Sequence, residues 1–375
     1  MNTQMKKQIT FALLTTLTLL GNAQAYNPIL REYHSVKAAG MGDVRYTTGL
    51  FEENFYANPA RSTANPENLF QLPKLSFEAS TASITAVNSL IQSGSNGLSA
   101  FADKIGKPLS ARFQMVFPAY YNRHFITDAW SFGVGFTTTA QTIASVGQSG
   151  TIDPTTFVAA GPVVNLARRF LDEDRLSVGI NARSEYRANS KSFFSLQQFL
   201  AGQKVSDAIK GGNGLGFDFD IGTTFRPHWN LGGFQYEVAF AINNVLGGQY
   251  KNISRPLTSA EWSGDPFQSR RSFNFGVSAK YDHFWFLHQI VLALESTDNG
   301  NNVNGSFFRT LHMGGEAHWK VLAARLGISQ GYLTAGFGVD LWLVQLNLAT
   351  YAEEIGLNPG VMEDRRYALE LGFQI

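Results

Sequence analysis

The sequence predicts an all-β protein, a transmembrane antiparallel β-barrel of about fourteen strands with an N-terminal plug segment. Three observations predict it. Apolar and polar residues alternate with period two over stretches of ten residues or more, longer than the usual five or six. Aromatic residues gather near the ends of those stretches, where an interfacial girdle lies. Connections between stretches are mostly long after odd strands and short after even ones, as short turns on one side of a membrane and long loops on the other require.

Composition bounds the alternatives. Charged residues make up 16% of the chain, against roughly 25% in soluble proteins. The net charge is +1 with no basic block, which argues against nucleic acid as a partner. Cysteine is absent, so thiol catalysis, disulfides and Cys-based metal sites are excluded. Thirty Phe and thirty-six Gly accompany an aromatic content of 13%. Past the N-terminus, no apolar run approaches the roughly eighteen residues of a membrane helix.

Residues 1–25 read as a signal peptide. Lys6 and Lys7 precede the apolar run ITFALLTTLTLLG, and Ala23-Gln24-Ala25 supplies small residues for cleavage. Residues 26–72 are too irregular for strands and carry two Asn-Pro steps in FYANPARSTANP (55–66). Proline fixes its own φ and pushes the preceding residue out of the helical region, so this stretch must turn repeatedly. Phe51, Phe55, Tyr56 and Leu69 give it apolar groups to bury. A barrel of this size has a lumen too wide for side chains alone to fill, and 26–72 is placed to plug it.

Residues 73–375 then supply strands near 74–86, 111–120, 129–146, 156–167, 174–189, 214–227, 233–245, 271–282, 285–297, 307–319, 321–330, 332–340, 341–352 and 365–375. In the sixth, Phe217, Phe219 and Ile221 alternate with Asp218, Asp220 and Gly222. On the polar phase, Asn181, Arg183, Glu185, Arg187, Asp218, Asp220, Glu237, Lys280 and Glu370 suit wet or salt-bridged inner walls. Around 341–349 both phases are apolar, which fits either an apolar lumen patch or packing against the plug. The last strand alternates into the carboxylate with Phe373 near its end, the kind of terminus that barrel-assembly machinery engages.

Two outer connections carry apolar residues at helical spacing. In 87–105 these include Leu90, Ile91 and Phe101; in 193–210 they include Phe193, Leu196, Phe199 and Leu200. Such faces form either a groove for a hydrophobic molecule or a lid packed on itself. GGNGLG (211–216) precedes a strand and reads as a turn, not a phosphate loop. The seven His form no H-x-x-x-H pair, so no metal is expected, and no cofactor. Glu363-Asp364-Arg365-Arg366 reads as the charged start of a strand facing lipopolysaccharide or a loop.

GMGDVRY (40–46), followed after a spacer by Asn58-Pro59-Ala60, resembles the N-terminal hatch of the FadL-type outer-membrane transporters. Toward the C-terminus, AARLG, GYLTAGFG and EDRR, in that order, are similar to the PorV-like branch of the same superfamily. The matches cover the hatch and roughly the last sixty residues. The resemblance implies a fourteen-stranded barrel closed by an N-terminal hatch. Passive uptake or export of a small hydrophobic molecule, of long-chain fatty acid or hydrocarbon type, is the expectation. Asn58, Pro59 and Ala60, with Phe51 and Phe55, are the expected gate. The alternative, implied by the PorV-like segments, is a non-transporting barrel that docks exported proteins. Either way the chain is expected in the outer membrane of a Gram-negative bacterium, against its lipid and lipopolysaccharide, and not as an enzyme.

Overall fold

The computed structural model describes residues 30–93, 105–146, 151–171, 173, 175–191, 194–195, 211–253, 265–301 and 305–375. The expected signal peptide lies outside the described residues. Among the described residues, seventeen strands form one sheet. Three of them, Phe194–Ser195, Asn230–Leu231 and Tyr250–Asn252, are two or three residues long.

The other fourteen are β1 (Leu69–Ser80), β2 (Pro108–Asn122), β3 (Trp130–Val146), β4 (Thr151–Phe170), β5 (Leu176–Lys191), β6 (Gly211–Phe225) and β7 (Phe234–Asn243). They continue as β8 (Ser272–Phe284), β9 (Leu287–Asn299), β10 (Leu311–Trp319), β11 (Leu322–Ser329), β12 (Tyr332–Leu341), β13 (Val344–Glu354) and β14 (Glu363–Gln374). Each pairs antiparallel with its sequence neighbours, and β14 returns to β1 with Leu371 opposite Leu75 and Ala368 opposite Glu78. This closes an all-β barrel of fourteen strands and leaves no open edge.

Alternation sets the two faces. On β6, Asp218, Asp220, Gly222 and Thr224 are buried inward, while Phe217, Ile221 and Phe225 are exposed outward. On β14, Asp364, Arg366, Ala368 and Glu370 point in and Tyr367, Leu369 and Phe373 point out. The outward wall is therefore apolar, as hydrocarbon contact demands. Among the described residues no helix is long and apolar enough to cross a membrane. Trp229, Trp285, Trp319 and Trp342 stand exposed at the short-turn end, beside the chain's last strand residues, where a girdle belongs.

Four readings need correction. β1 stops at Ser80, because the Ser80 hydroxyl accepts the Ser83 amide and caps a helix, α2 (Thr81–Ser93), where strand continued to 86 in the expectation. β1 also starts at Leu69, so the segment before it ends at Asn68 and not at 72. GGNGLG is not a turn: it opens β6 and pairs with β5 from Gly211 opposite Ser190 to Gly216 opposite Glu185. The two-phase apolar stretch at 341–349 is the tip of the β12–β13 hairpin. Leu341, Trp342 and Leu343 lie exposed there, and Gln345, Asn347 and Ala349 turn inward, so no apolar lumen patch is built from it, and only Ala349 packs against the N-terminal segment, beside Val36 and Ala39.

Candidate functional site

Between Leu30 and Pro66 the chain folds without strands and touches inward-facing residues of strands around the barrel circumference. Its first element is α1 (Val36–Gly40), whose Ser35 hydroxyl accepts the Ala38 amide at 3.1 Å. Two short 3₁₀ turns follow, Phe51–Phe55 and Pro59–Ala64. The residues between them have few backbone partners of their own, so the wall must supply them.

It does so at three places. GMGD meets β10–β12, where Thr334 Oγ1 accepts from the Gly42 amide at 2.9 Å and donates to the Gly40 carbonyl at 3.2 Å. The approach is backbone on backbone. A Cβ on Gly336 would lie 2.9 Å from the Gly40 Cα, and one on Gly314 would lie 2.1 Å from the Met41 carbonyl oxygen. Only glycine permits this spacing.

Second, Glu295 of β9 gathers the turn that follows. Its carboxylate accepts from the amides of Arg45 (2.8 Å), Tyr46 (3.1 Å) and Thr47 (2.8 Å) and from the Thr47 hydroxyl (2.8 Å). Three consecutive amides converging on one buried carboxylate make a charge-assisted clasp.

Third, the Asn58-Pro59 turn rests on β5 and β6. Asn58 Oδ1 accepts the Ala60 amide at 3.1 Å, and its Nδ2 donates to the Thr223 carbonyl at 3.1 Å and the Tyr46 carbonyl at 3.3 Å. Three wall asparagines take the segment's carbonyls: Asn165 donates to Pro59 (3.1 Å), Asn181 to Asn54 (2.8 Å) and Phe55 (3.1 Å), and Asn243 to Ala57 (3.0 Å). Phe55 is buried with Tyr33, Tyr56 and Tyr121 in one aromatic cluster, and Phe51 packs against it.

Charge tightens these contacts. Arg31 bridges Asp43 (2.6 Å) and Asp298 of β9 (2.9 Å), Lys74 of β1 reaches Glu52 (2.6 Å), and Arg61 reaches Glu237 of β7 (2.7 Å). Glu32 pairs with Arg187 of β5. Burial opposes the charged form of Asp43, yet Arg31 and Arg45 outweigh it and hold the carboxyl well below its usual range. Glu32 behaves alike: burial raises its pKa, and Arg187 and Arg183 bring it down to about 2. For His34, burial favours the neutral ring, but Glu78 at 2.9 Å and Asp43 at 3.5 Å raise the pKa above its ordinary value.

Asn58, Pro59, Ala60 and Phe55 thus come together in one buried region, with the half-buried Phe51 packed against it. Leu90 and Ile91 fall on the backbone of α2, and Phe101, Phe193, Leu196, Phe199 and Leu200 lie outside the described residues. In EDRR the strand phase divides the four. Asp364 and Arg366 are buried, with Arg366 paired to both Asp364 and Glu353, while Glu363 and Arg365 pair on the outside.

Two depressions, of about 940 and 1080 Å³, lie on the barrel's outward wall. Apolar side chains such as Phe77, Phe337 and Leu348 line the first, and Leu292, Leu326 and Leu333 the second. Both lie over strands whose inner glycines meet the N-terminal segment, Gly336 at the first and Gly314 and Gly327 at the second. Sequence reasoning missed Glu295, Asn165 and Asn243. The signal for Asn165 was a single amide on the inward phase of β4, between Val163 and Ala167.

No protein-family model matches the chain. No curated protein matches it either. Among solved structures, the toluene transporter TbuX of Ralstonia pickettii aligns over 94% of this chain and 98% of its own, at 11% identity and a TM-score of 0.51. A deltaS2 mutant of TodX, a monoaromatic hydrocarbon channel, aligns over 92% of this chain and 98% of its own, at 12% identity and a TM-score of 0.51. At these identities the likeness is one of fold: this chain is similar in architecture, along nearly its whole length, to a toluene transporter and a monoaromatic hydrocarbon channel.

Proposed function

We propose that this chain is an outer-membrane β-barrel that passes a small hydrophobic molecule without an energy source, with residues 30–66 as its plug. The observation that carries the reading is the segment's mode of attachment. A closed wall, apolar outside, turns glycines, asparagines and carboxylates inward onto an irregular N-terminal segment rather than onto water. A barrel needing an open aqueous pore has no use for such fittings.

The two similar barrels are named for toluene and for monoaromatic hydrocarbons, which supports a hydrocarbon or fatty acid as cargo. Affinity would come from apolar burial, at about 25 cal/mol per Å². The first twenty-five residues would direct export, the C-terminal strand would engage the barrel-assembly machinery, and the outer rim would meet lipopolysaccharide. The Asn58-Pro59-Ala60 turn would be the rigid latch of the gate.

The test is reconstitution followed by mass spectrometry of what the purified barrel retains, together with uptake of radiolabelled toluene and palmitate. Retained lipid or hydrocarbon, with uptake above that of empty vesicles, supports transport. A co-purified exported protein, with neither bound lipid nor uptake, would instead establish the docking role.

A further inference from the structure

We infer that Phe51 is the moving residue of the gate and Phe55 its fixed counterpart. This rests on the transport reading and adds to it which side chain opens the way.

The two phenylalanines flank the same ring, Tyr121 of β2, and both centroids lie 5.4 Å from it. Their settings differ. Phe55 is 1% exposed and stacks on Tyr121 at an interplanar angle of 27°. Its other edge fills a slot in β3 cut by two glycines: a Cβ on Gly133 would meet the ring at 3.1 Å and one on Gly135 at 2.8 Å. Its carbonyl is taken by Asn181. Ring and backbone are both enclosed, and interiors packed to this density do not let a ring swing without displacing the wall.

Phe51 is held differently. Among the aromatic residues of 30–66 it alone is half-buried. It meets Tyr121 edge-on at 60°, and its amide donates to Asn65 within the segment, not to the wall. Its φ is +51°, a conformation that costs a side-chain-bearing residue steric strain and persists where surrounding structure imposes it. Tyr121 stands next to Asn122, the last residue of β2 at the short-turn end. Thr48, Leu50, Arg61 and Ala64 are half-buried like Phe51, and together they mark a part of the segment that the wall does not fully enclose.

Passage beside the GMGD turn would have to break buried ion pairs such as Arg31–Asp298, leaving charges without partners, and passage beside α1 would have to part the buried packing of Val36 and Ala39 on Ala349 and Tyr351. Beside Phe51 it requires only a ring to rotate, with an apolar molecule replacing the ring against Tyr121. A charged solute gains nothing from that exchange, so the same ring that admits an apolar molecule excludes ions.

Uptake of the apolar fluorophore N-phenylnaphthylamine by expressing cells is read against cells carrying empty vector, and heat-dependent migration reports whether each barrel is folded. The expected result is that Phe51→Ala raises uptake several-fold and Phe51→Trp lowers it below wild type, both in barrels that migrate as wild type, whereas Phe55→Ala, which empties an enclosed slot, lowers the temperature at which compact migration is lost. Wild-type uptake in both Phe51 variants, or a rise with Phe55→Ala as large as with Phe51→Ala in a barrel of unchanged migration temperature, overturns the assignment and leaves transport standing. Uptake by the unmodified chain no greater than with empty vector overturns the transport reading, and the gate with it.

Discussion

Gly179 and Gly222 stand directly opposite one another across β5 and β6, and the Asn58-Pro59 turn rests on both. A Cβ on Gly179 would lie 2.5 Å from the Pro59 carbonyl carbon, and one on Gly222 would lie 2.0 Å from Asn58 Oδ1. The pair forms a notch in the wall one turn wide. A glycine inside a strand forgoes side-chain packing, and here the vacated space is filled by another segment's backbone.

Gly222→Ala should therefore push Asn58 off its cap. We expect a loss of about 1–3 kcal/mol, as for other overpacked interiors. If the turn is the latch, ion leak in planar bilayers should also rise. A folded variant with unchanged conductance and unchanged melting would show that the notch has no role in closure.

Glu295→Gln removes the charge from the acceptor of three consecutive amides. Hydrogen bonds to a charged group are worth about 1.5–3 kcal/mol each, roughly twice neutral ones. Because the other clasps remain, the expected effect is local. Hydrogen exchange should accelerate at Arg45, Tyr46 and Thr47, while amides of β9 keep their protection. Uniform acceleration across the barrel would mean that Glu295 stabilises the wall and not the segment.

The barrel was legible in the sequence because period-two alternation is a local property. β6 and β14 could be read from Phe217–Ile221 and from Tyr367–Phe373 without knowing their neighbours. Where the local signal belonged to something else, the reading failed. Ser80 looked like one more polar position of a strand, but its hydroxyl ends the strand by capping α2. The break between β12 and β13 was placed at 340/341 with no turn residues between the strands, because Leu341, Trp342 and Leu343 are not turn-like; an interfacial position rewards apolar tips instead. The segment 30–66 was recognisable from its Asn-Pro steps, but its receivers were not. Gly179, Gly222 and Gly336 each sit far along the chain from what they admit, and a strand glycine by itself says only that something approaches closely.

His34 makes part of the segment's attachment depend on pH. It faces Glu78 of β1 and Asp43 of its own segment, with Arg112 and Arg366 beyond Glu78 and the Tyr351 ring 5.0 Å away. Its folded pKa is raised, so its contribution is complete below the unfolded value of about 6.5 and is lost as pH rises through the folded value. As pH rises above that ordinary value and through the raised folded one, the segment should become more open to proteolysis at its N-terminal part. His34→Gln should abolish that dependence. Asp43 contributes in the opposite range, since its depressed pKa gives stability that disappears only as pH falls below the ordinary carboxylate value.

EDRR offers a comparison between two adjacent arginines. Arg366 lies at 1% exposure, with Glu353 at 2.8 Å and Asp364 at 2.6 Å, whereas Arg365 faces outward to Glu363 at 2.8 Å. Deleting one partner of a buried ion pair strands the others without water, and costs about 3–5 kcal/mol. Deleting a solvent-screened partner costs about 0–1 kcal/mol. Arg366→Ala should therefore lower the temperature at which the detergent-folded barrel loses its compact migration, and Arg365→Ala should barely move it. Arg366→Met, which removes the charge but keeps the volume, separates the two contributions: melting close to that of Arg366→Ala assigns the loss to the stranded Glu353 and Asp364. Recovery with methionine would assign it to packing, and equal effects at 365 and 366 would contradict the strand phase on which the whole inward set depends.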